Sequence, residues 1–152
     1  MAYLKCSVPG VLLMFFAGAN ALFADSKSCD ASTLQGSFGY TVTGFINPGS
    51  VPALIPGAFA AVGRLVFDGH SGVTTVRSLS DNGTILRNDA GSGTYTLKAD
   101  CTGSFSISIA TPTGTVALNL DVVVAGNGGE IRAIVTNSGY VLTLQGTRQA
   151  EN

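Results

Sequence analysis

The feature that most constrains this chain is a strict alternation of apolar and small polar residues on both sides of one turn, in Gly91–Ile109. A period of two is typical of a strand that buries one face. The stretch therefore predicts a β-hairpin, and its turn, Asp100–Gly103, carries Cys101. The apolar positions of the two strands are Tyr95, Leu97, Phe105, Ile107 and Ile109.

The same alternation recurs along the rest of the chain, and no run after residue 30 has helical spacing. Asp81-Asn82-Gly83 is the strongest turn signal, because Asn-Gly accepts the positive φ angles of a type I′ hairpin turn. Asn88–Gly93 interrupts one strand and predicts a bulge or a short loop. Between residues 34 and 148 the pattern predicts eight strands joined mainly by tight turns.

Eight strands in sequential order predict an all-β fold, an antiparallel up-and-down (meander) barrel with an apolar interior. An open sheet would leave two exposed edges and one uncovered apolar face, since the chain offers no helix to cover it. Closure removes both problems. The alternative is a two-sheet β-sandwich, because strands with the same alternation also pack face to face.

The N-terminus has the organisation of a signal peptide, with Lys5 followed by a short apolar run and small residues. The small residues allow cleavage after Ala21 or after Ala24, and cleavage after Ala24 is preferred. The apolar run is shorter than the ~20 residues that span a bilayer. We expect residues 1–24 to be removed and residues 25–152 to form a single barrel domain, secreted or periplasmic.

Two cysteines remain after cleavage, Cys29 and Cys101, because Cys6 leaves with the signal peptide. An even pair in an oxidising compartment predicts a disulfide bond. The bond would hold the N-terminal segment across one end of the barrel. Ligand entry is then expected at the opposite mouth, beneath the long proline-containing loop in Ile46–Gly57.

Charge argues against several classes of partner. The mature chain has seven Lys and Arg against nine Asp and Glu, with no run of like charge, so no nucleic acid binding is expected. His70 is the only histidine, which leaves too few ligands for a metal site, and no cofactor is predicted. A membrane barrel would carry aromatic girdles, but the chain has no Trp. We expect a monomer without stable membrane insertion.

Several short motifs lie at the turns and around the cysteines. They are Leu34-Gln35-Gly36-Ser37-Phe38, Phe67-Asp68-Gly69, Gly93-Thr94-Tyr95-Thr96, Asp100-Cys101-Thr102-Gly103, Glu130-Ile131 and Asn137-Ser138-Gly139. Over Cys29–Arg148 this set resembles a family of small secreted bacterial proteins with no established activity. The resemblance implies the same cysteine pairing. Ser71 departs from it, because a glycine is usual there. At the level of fold, the chain is similar to calycin and allene-oxide-cyclase-like barrels.

Four residues are the predicted binding site for a small apolar ligand. Tyr40 and Tyr95 lie on strand faces that point inward, and buried tyrosine hydroxyls seek partners. Leu54 and Ile55 are apolar residues in the long loop, which could act as a lid.

Two other classes of function remain open. A cofactor-free cyclase or isomerase would need polar groups that point into the barrel. Asn119 and Asp121 supply them only if the strand turns its Asn119/Asp121 face inward. The favoured orientation of Asp121 is outward, paired with Arg132. The third hypothesis is a structural surface or matrix module. No catalytic residue is identified, and whether the protein is an enzyme stays open.

Overall fold

The computed structural model describes residues 28–50, 54–111 and 114–150. The predicted signal peptide and its cleavage sites lie outside the described residues. The chain folds into eight antiparallel strands in a closed barrel, which confirms the predicted barrel over the sandwich. The strands are β1 (Gly36–Ile46), β2 (Gly57–Phe67), β3 (Gly72–Asp81), β4 (Thr84–Leu97), β5 (Thr102–Thr111), β6 (Gly114–Ala125), β7 (Glu130–Val135) and β8 (Tyr140–Arg148).

Each strand pairs with the next in sequence, and β8 pairs with β1 to close the wall. The predicted interruption of the fourth strand is a bulge, because β4 continues from Thr84 to Leu97. Arg77 lies opposite Asp89, while Leu79 lies opposite Leu86, so β4 carries an extra residue between these pairs. Asn88, inside the bulge, has a φ of 55°.

Alternate residues of the strands fill the interior, as expected for a barrel of eight strands. The largest fully buried side chains are aromatic or aliphatic: Leu34, Phe38, Ile46, Leu65, Phe67, Tyr95, Phe105, Ile131 and Leu142. Among the described residues no helix is long and apolar enough to span a membrane.

One end of the barrel is covered by the 3-10 helix Ala31–Leu34, and we call it the helix end. The predicted disulfide is present there, with the Cα atoms of Cys29 and Cys101 5.0 Å apart. Four aromatic rings lie beneath the helix. The ring centroid of Phe67 is 5.5 Å from that of Phe38, 5.0 Å from Tyr95 and 5.3 Å from Phe105. These contacts seal the helix end.

Arg148, at the end of β8, ties the helix end together. Its guanidinium lies 4.6 Å from the ring centroid of Phe38. It donates to the carbonyl oxygens of Thr33 at 2.7 Å, of Gly128 at 2.8 Å and of Gln35. The last strand, the N-terminal helix and the β6–β7 turn are therefore joined by one side chain.

The opposite end, which we call the loop end, gathers the β1–β2 loop with the β3–β4 and β7–β8 turns. The amide of Asn47 donates to the carbonyl of Gly139 at 2.8 Å. The amide of Ile55 donates to the carboxylate of Asp81 at 3.3 Å. The predicted grouping of these connections at the end opposite the disulfide is confirmed.

Candidate functional site: a polar cluster inside the barrel

The four predicted site residues do not form one site. Tyr40 points into the barrel, and its hydroxyl lies 2.8 Å from Oγ1 of Thr75. Leu54 is half-buried and packs against the core at the loop end, where Ile55 is 45% exposed. Tyr95 belongs to the helix end instead, because its hydroxyl donates to the carbonyl of Ala31 at 2.9 Å.

The strand β3 brings polar residues to the interior that the sequence reasoning missed. Thr75, Arg77 and Asp81 are buried, with exposures of 4%, 9% and 6%. They share one face of the strand with Val73 and Leu79, which are also buried. The alternation of this strand could therefore have identified them, because every second residue from Val73 to Asp81 points inward, whether it is polar or apolar.

Arg77 and Asp89 form an ion pair within this cluster. The Nε of Arg77 donates to Oδ2 of Asp89 at 2.8 Å. In the described part of the chain, the terminal amino groups of Arg77 have no hydrogen-bond partner. The guanidinium also lies 5.9 Å from the ring centroid of Phe59. One buried cation therefore keeps most of its donors available.

Gly63 on β2 makes room for the cluster. It lies directly opposite Tyr40 on one side and Arg77 on the other. A Cβ atom at this position would lie 2.7 Å from the Cβ of Arg77 and 2.9 Å from Cε1 of Tyr40. Both distances are shorter than real contacts, so a side chain here would force these two residues apart.

A cavity of about 30 Å³ adjoins the cluster. Three of its lining residues are polar: Tyr40, Thr75 and Arg77. The others are apolar: Val42, Phe59, Leu65, Ile107, Ile109, Leu118, Leu120, Val135, Leu142 and Leu144. A volume of this size holds one or two waters, whereas sites for drug-sized ligands are about 300–1,000 Å³.

Asp81 lies at the loop end of the same strand face. Its Oδ2 accepts the amide of Ile55, but Oδ1 is buried and has no partner among the described residues. Burial raises the pKa of the Asp81 carboxyl, opposed by the Ile55 hydrogen bond and by the charge of Arg77. An orphaned buried acceptor is uncommon in native proteins and calls for an explanation.

The hydroxyls in the interior are neutral hydrogen-bonding groups. Burial raises the pKa of Tyr40 above its usual value, although the bond to Thr75 acts in the opposite direction. In the Tyr40–Thr75 pair one hydroxyl donates to the other, so one hydroxyl hydrogen remains for a third group. Together with Arg77, the cluster can donate several hydrogen bonds to one acceptor.

Asn119 and Asp121 lie on the outer face of β6, and both are exposed. The outward orientation of Asp121 is confirmed, but its predicted ion pair with Arg132 is wrong. The register places Asp121 opposite Ile134, and Val123 opposite Arg132. Arg132 instead approaches Glu130 of its own strand at 3.5 Å.

His70 is exposed in the β2–β3 turn, where its amide donates to Oδ1 of Asp68 at 2.8 Å. Within residues 28–50, 54–111 and 114–150, no three His, Cys, Asp or Glu side chains come together as possible metal ligands.

Comparison with known proteins finds no family model, no curated protein and no solved structure that matches the chain. The resemblance to small secreted bacterial proteins and to calycin-like barrels stays a prediction.

Proposed function

We propose that this protein is a secreted or periplasmic binding protein that holds one small molecule inside the loop end of its barrel. The observation that carries the proposal is the position of Arg77 inside the barrel and its incomplete hydrogen bonding. The Arg77 side chain is only 9% exposed, lines the cavity, gives one N–H group to Asp89 and leaves its terminal amino groups, which are not fully buried, without a partner in the described chain. The disulfide is compatible with an oxidising compartment outside the cytoplasm.

The energetics of burial support a binding role for this cluster. Moving two charges out of water costs several kcal/mol per ion, and well-packed apolar residues often replace a buried ion pair without loss of stability. Stability alone therefore gives little reason to keep Arg77 and Asp89 in an apolar barrel. A ligand that uses the remaining donors supplies such a reason.

The donors define the chemistry of the ligand. The planar guanidinium fork matches a carboxylate, and a carbonyl oxygen is the neutral equivalent. Arg77 and the Tyr40–Thr75 pair would hold this acceptor, while the apolar cavity wall contacts the rest of the molecule. The predicted small apolar ligand is thus refined to one that carries a single acceptor group.

The cavity also limits the size of the ligand. About 30 Å³ accommodates the polar group but not an apolar body. Leu54 is the half-buried side chain that packs on the core at the loop end. Leu54 does not line the cavity, so a ligand body needs the loop end to open, and we infer that Leu54→Ala, which loosens the packing of the loop on the core, increases affinity.

A second candidate is the predicted structural or interaction module. The observation in its favour is an outer groove of about 460 Å³ across β1 to β4. Val62 and Ile85 line it and are 58% and 55% exposed, and Arg87 is a charged residue beside them. The cyclase alternative would have to rely on the donors of the interior cluster, because Asn119 and Asp121 point outward.

Valerate, a short carboxylate, tests the binding proposal by NMR titration of the mature protein. We expect saturable shifts for the amides of Tyr40, Thr75 and Arg77. The double variant Tyr40→Phe/Thr75→Val removes both partners of one hydrogen bond, so it leaves no orphaned group and should weaken binding about tenfold.

Thr74→Val is the matched control, because Thr74 precedes Thr75 on the same strand and is exposed. It should bind valerate as the wild type does. The proposal fails if neither the wild type nor Leu54→Ala binds valerate, or if the double variant binds it with unchanged affinity.

A further inference from the structure

Asp81 is the point at which the last part of the β1–β2 loop is hydrogen-bonded to a strand. Among the described residues, segment 54–56 makes one hydrogen bond to the barrel, from the amide of Ile55 to Oδ2 of Asp81 at 3.3 Å. The same segment places the half-buried side chain of Leu54 against the core. The contact between Ile55 and Asp81 therefore controls how firmly this part of the loop is held.

The carboxyl group of Asp81 is buried with incomplete hydrogen bonding. Asp81 is 6% exposed, and its Oδ1 has no partner among the described residues. Burying a charged carboxylate without full hydrogen bonding is costly, and protonation removes the charge. The ionised form therefore becomes favourable only when water reaches Oδ1.

The groups around Asp81 do not replace that water. Across the sheet, Asp81 lies opposite Phe59 on β2 and Thr84 on β4, which are both uncharged. Arg77 on the same strand acts on Asp81 through its charge, but its Nε is bonded to Asp89. In the described part of the chain no cation comes within salt-bridge distance of Asp81.

Tyr140, at the start of β8, is the second titratable group that interacts with Asp81. Its phenol is hydrogen-bonded to the side chain of Ser50, which is buried in the first part of the same loop. Burial raises the pKa of Tyr140 above its usual value. Tyr140 therefore stays neutral over the range in which a carboxyl group titrates.

We propose that Asp81 is a proton-dependent closure of the loop end, in which the protonated carboxyl holds segment 54–56 on the barrel and ionisation releases the segment. Release lets water hydrate Oδ1 and removes Leu54 from the core. The inference rests on the proposed function for its consequence, which is that a ligand enters more easily at neutral pH than in acid.

The direction follows from the pKa of Asp81 in the closed and open forms. In the closed form burial raises this pKa, opposed by the Ile55 hydrogen bond and by the charge of Arg77. In the open form the carboxyl is hydrated, with a pKa near the ordinary value of about 3.9. Opening is therefore least favoured below about pH 4 and increases until the pH passes the closed-form pKa. Each pKa unit between the two forms changes the opening equilibrium about tenfold.

Hydrogen exchange of the Ile55 amide in the mature wild type, without ligand, tests the proposal. The protection factor compares the observed rate with that of an unfolded chain at the same pH, so it removes the direct effect of pH on exchange. We expect the protection factor of Ile55 to fall as the pH rises from about 4 and then to level off. A protection factor that is constant, or that rises, would overturn the proposal.

The amide of Asn47 is the internal control, because it donates at the same end to the carbonyl of Gly139, which does not titrate. Its protection factor should stay constant over the same range of pH. An equal fall for Asn47 and Ile55 would show that the whole loop end loosens, and it would overturn the assignment to Asp81.

Asp81→Asn keeps an oxygen that accepts the Ile55 amide but cannot ionise, so the protection factor of Ile55 should no longer depend on pH. An unchanged pH dependence in this variant would contradict the inference. Asp121→Asn removes a carboxylate from the exposed face of β6 and is the matched control, expected to keep the wild-type dependence. If Asp81→Asn does not fold, the comparison of Ile55 with Asn47 in the wild type decides. Because no ligand is used, a negative result leaves the proposed binding function standing.

Discussion

Arg77 and Asp89 face each other on β3 and β4, and the Nε of Arg77 donates a hydrogen bond of 2.8 Å to Oδ2 of Asp89. The β-bulge next to this pair makes the contact possible. It shifts the register between Arg77 and Leu79, so that Asp89 faces the interior while Arg87 and Asn88 are exposed. An irregular strand thus supplies the partner of the buried cation.

Asp89→Ala should lower the free energy of unfolding by about 3–5 kcal/mol, because it leaves a buried guanidinium without its counter-charge. The double variant Arg77→Met/Asp89→Leu should recover most of this loss, while it abolishes valerate binding. Urea unfolding measures both. Glu130→Ala, in the exposed pair with Arg132, is the control and should cost less than about 1 kcal/mol. A double variant as unstable as Asp89→Ala would contradict the account.

Arg148→Lys should destabilise the helix end by about 2–3 kcal/mol, since lysine cannot reproduce the fork that reaches the carbonyls of Thr33, Gln35 and Gly128. Arg64→Lys on the exposed face of β2 is the comparison, expected to change stability by less than about 0.5 kcal/mol. Equal effects of the two substitutions would show that the contacts of Arg148 contribute nothing.

The disulfide should contribute about 4 kcal/mol by restricting the unfolded chain, since it closes a loop of 72 residues. We expect Cys29→Ala/Cys101→Ala to lose this amount in chemical unfolding. The mature wild type, denatured without reductant, should show no reactive thiol. Two reactive thiols per chain would refute the bridge.

The barrel could be predicted from the sequence because its interior follows a period of two and its turns carry Asn, Asp and Gly at the required places. The same period of two predicted that Tyr40 faces inward, and its hydroxyl lies inside the barrel next to Thr75. Arg77 and Asp81 were missed because the alternation of β3 was not extended to its polar residues. They lie on the same inward face as Val73 and Leu79.

Two errors have a different physical origin. Asp89 has the same parity as Tyr95, with Gly93 and Gly91 between them, but it was missed because Asn88–Gly93 was interpreted as an interruption of the strand. The predicted Asp121–Arg132 pair depended on the register of β6 and β7, and that register places Arg132 opposite Val123. The sequence Gly126–Gly129 alone does not determine the register of the two strands, because the register depends on the conformation of the turn as well as on its length.

The pH dependence of stability should identify Asp81. Its folded-state pKa is raised, so its contribution is fully present below the unfolded pKa of about 3.9 and is lost as the pH rises through the folded pKa. The stability of the wild type relative to Asp81→Asn should therefore fall with rising pH from about 4. The pKa values of Asp30, Asp68 and Asp100 are lowered, but these residues are present in both proteins, so their effects on stability cancel in the comparison. A relative stability that is constant with pH, or rises, would contradict the raised pKa.

Side-chain NMR of the guanidinium nitrogens during a valerate titration tests the central claim most directly. The account predicts that the terminal amino signals of Arg77 shift saturably, while its Nε signal stays in the position of a group bonded to Asp89. Arg64, Arg87 and Arg132 are exposed and serve as internal controls for weak surface association. Shifts confined to these three residues, with Arg77 unchanged at saturating valerate, would contradict binding inside the barrel.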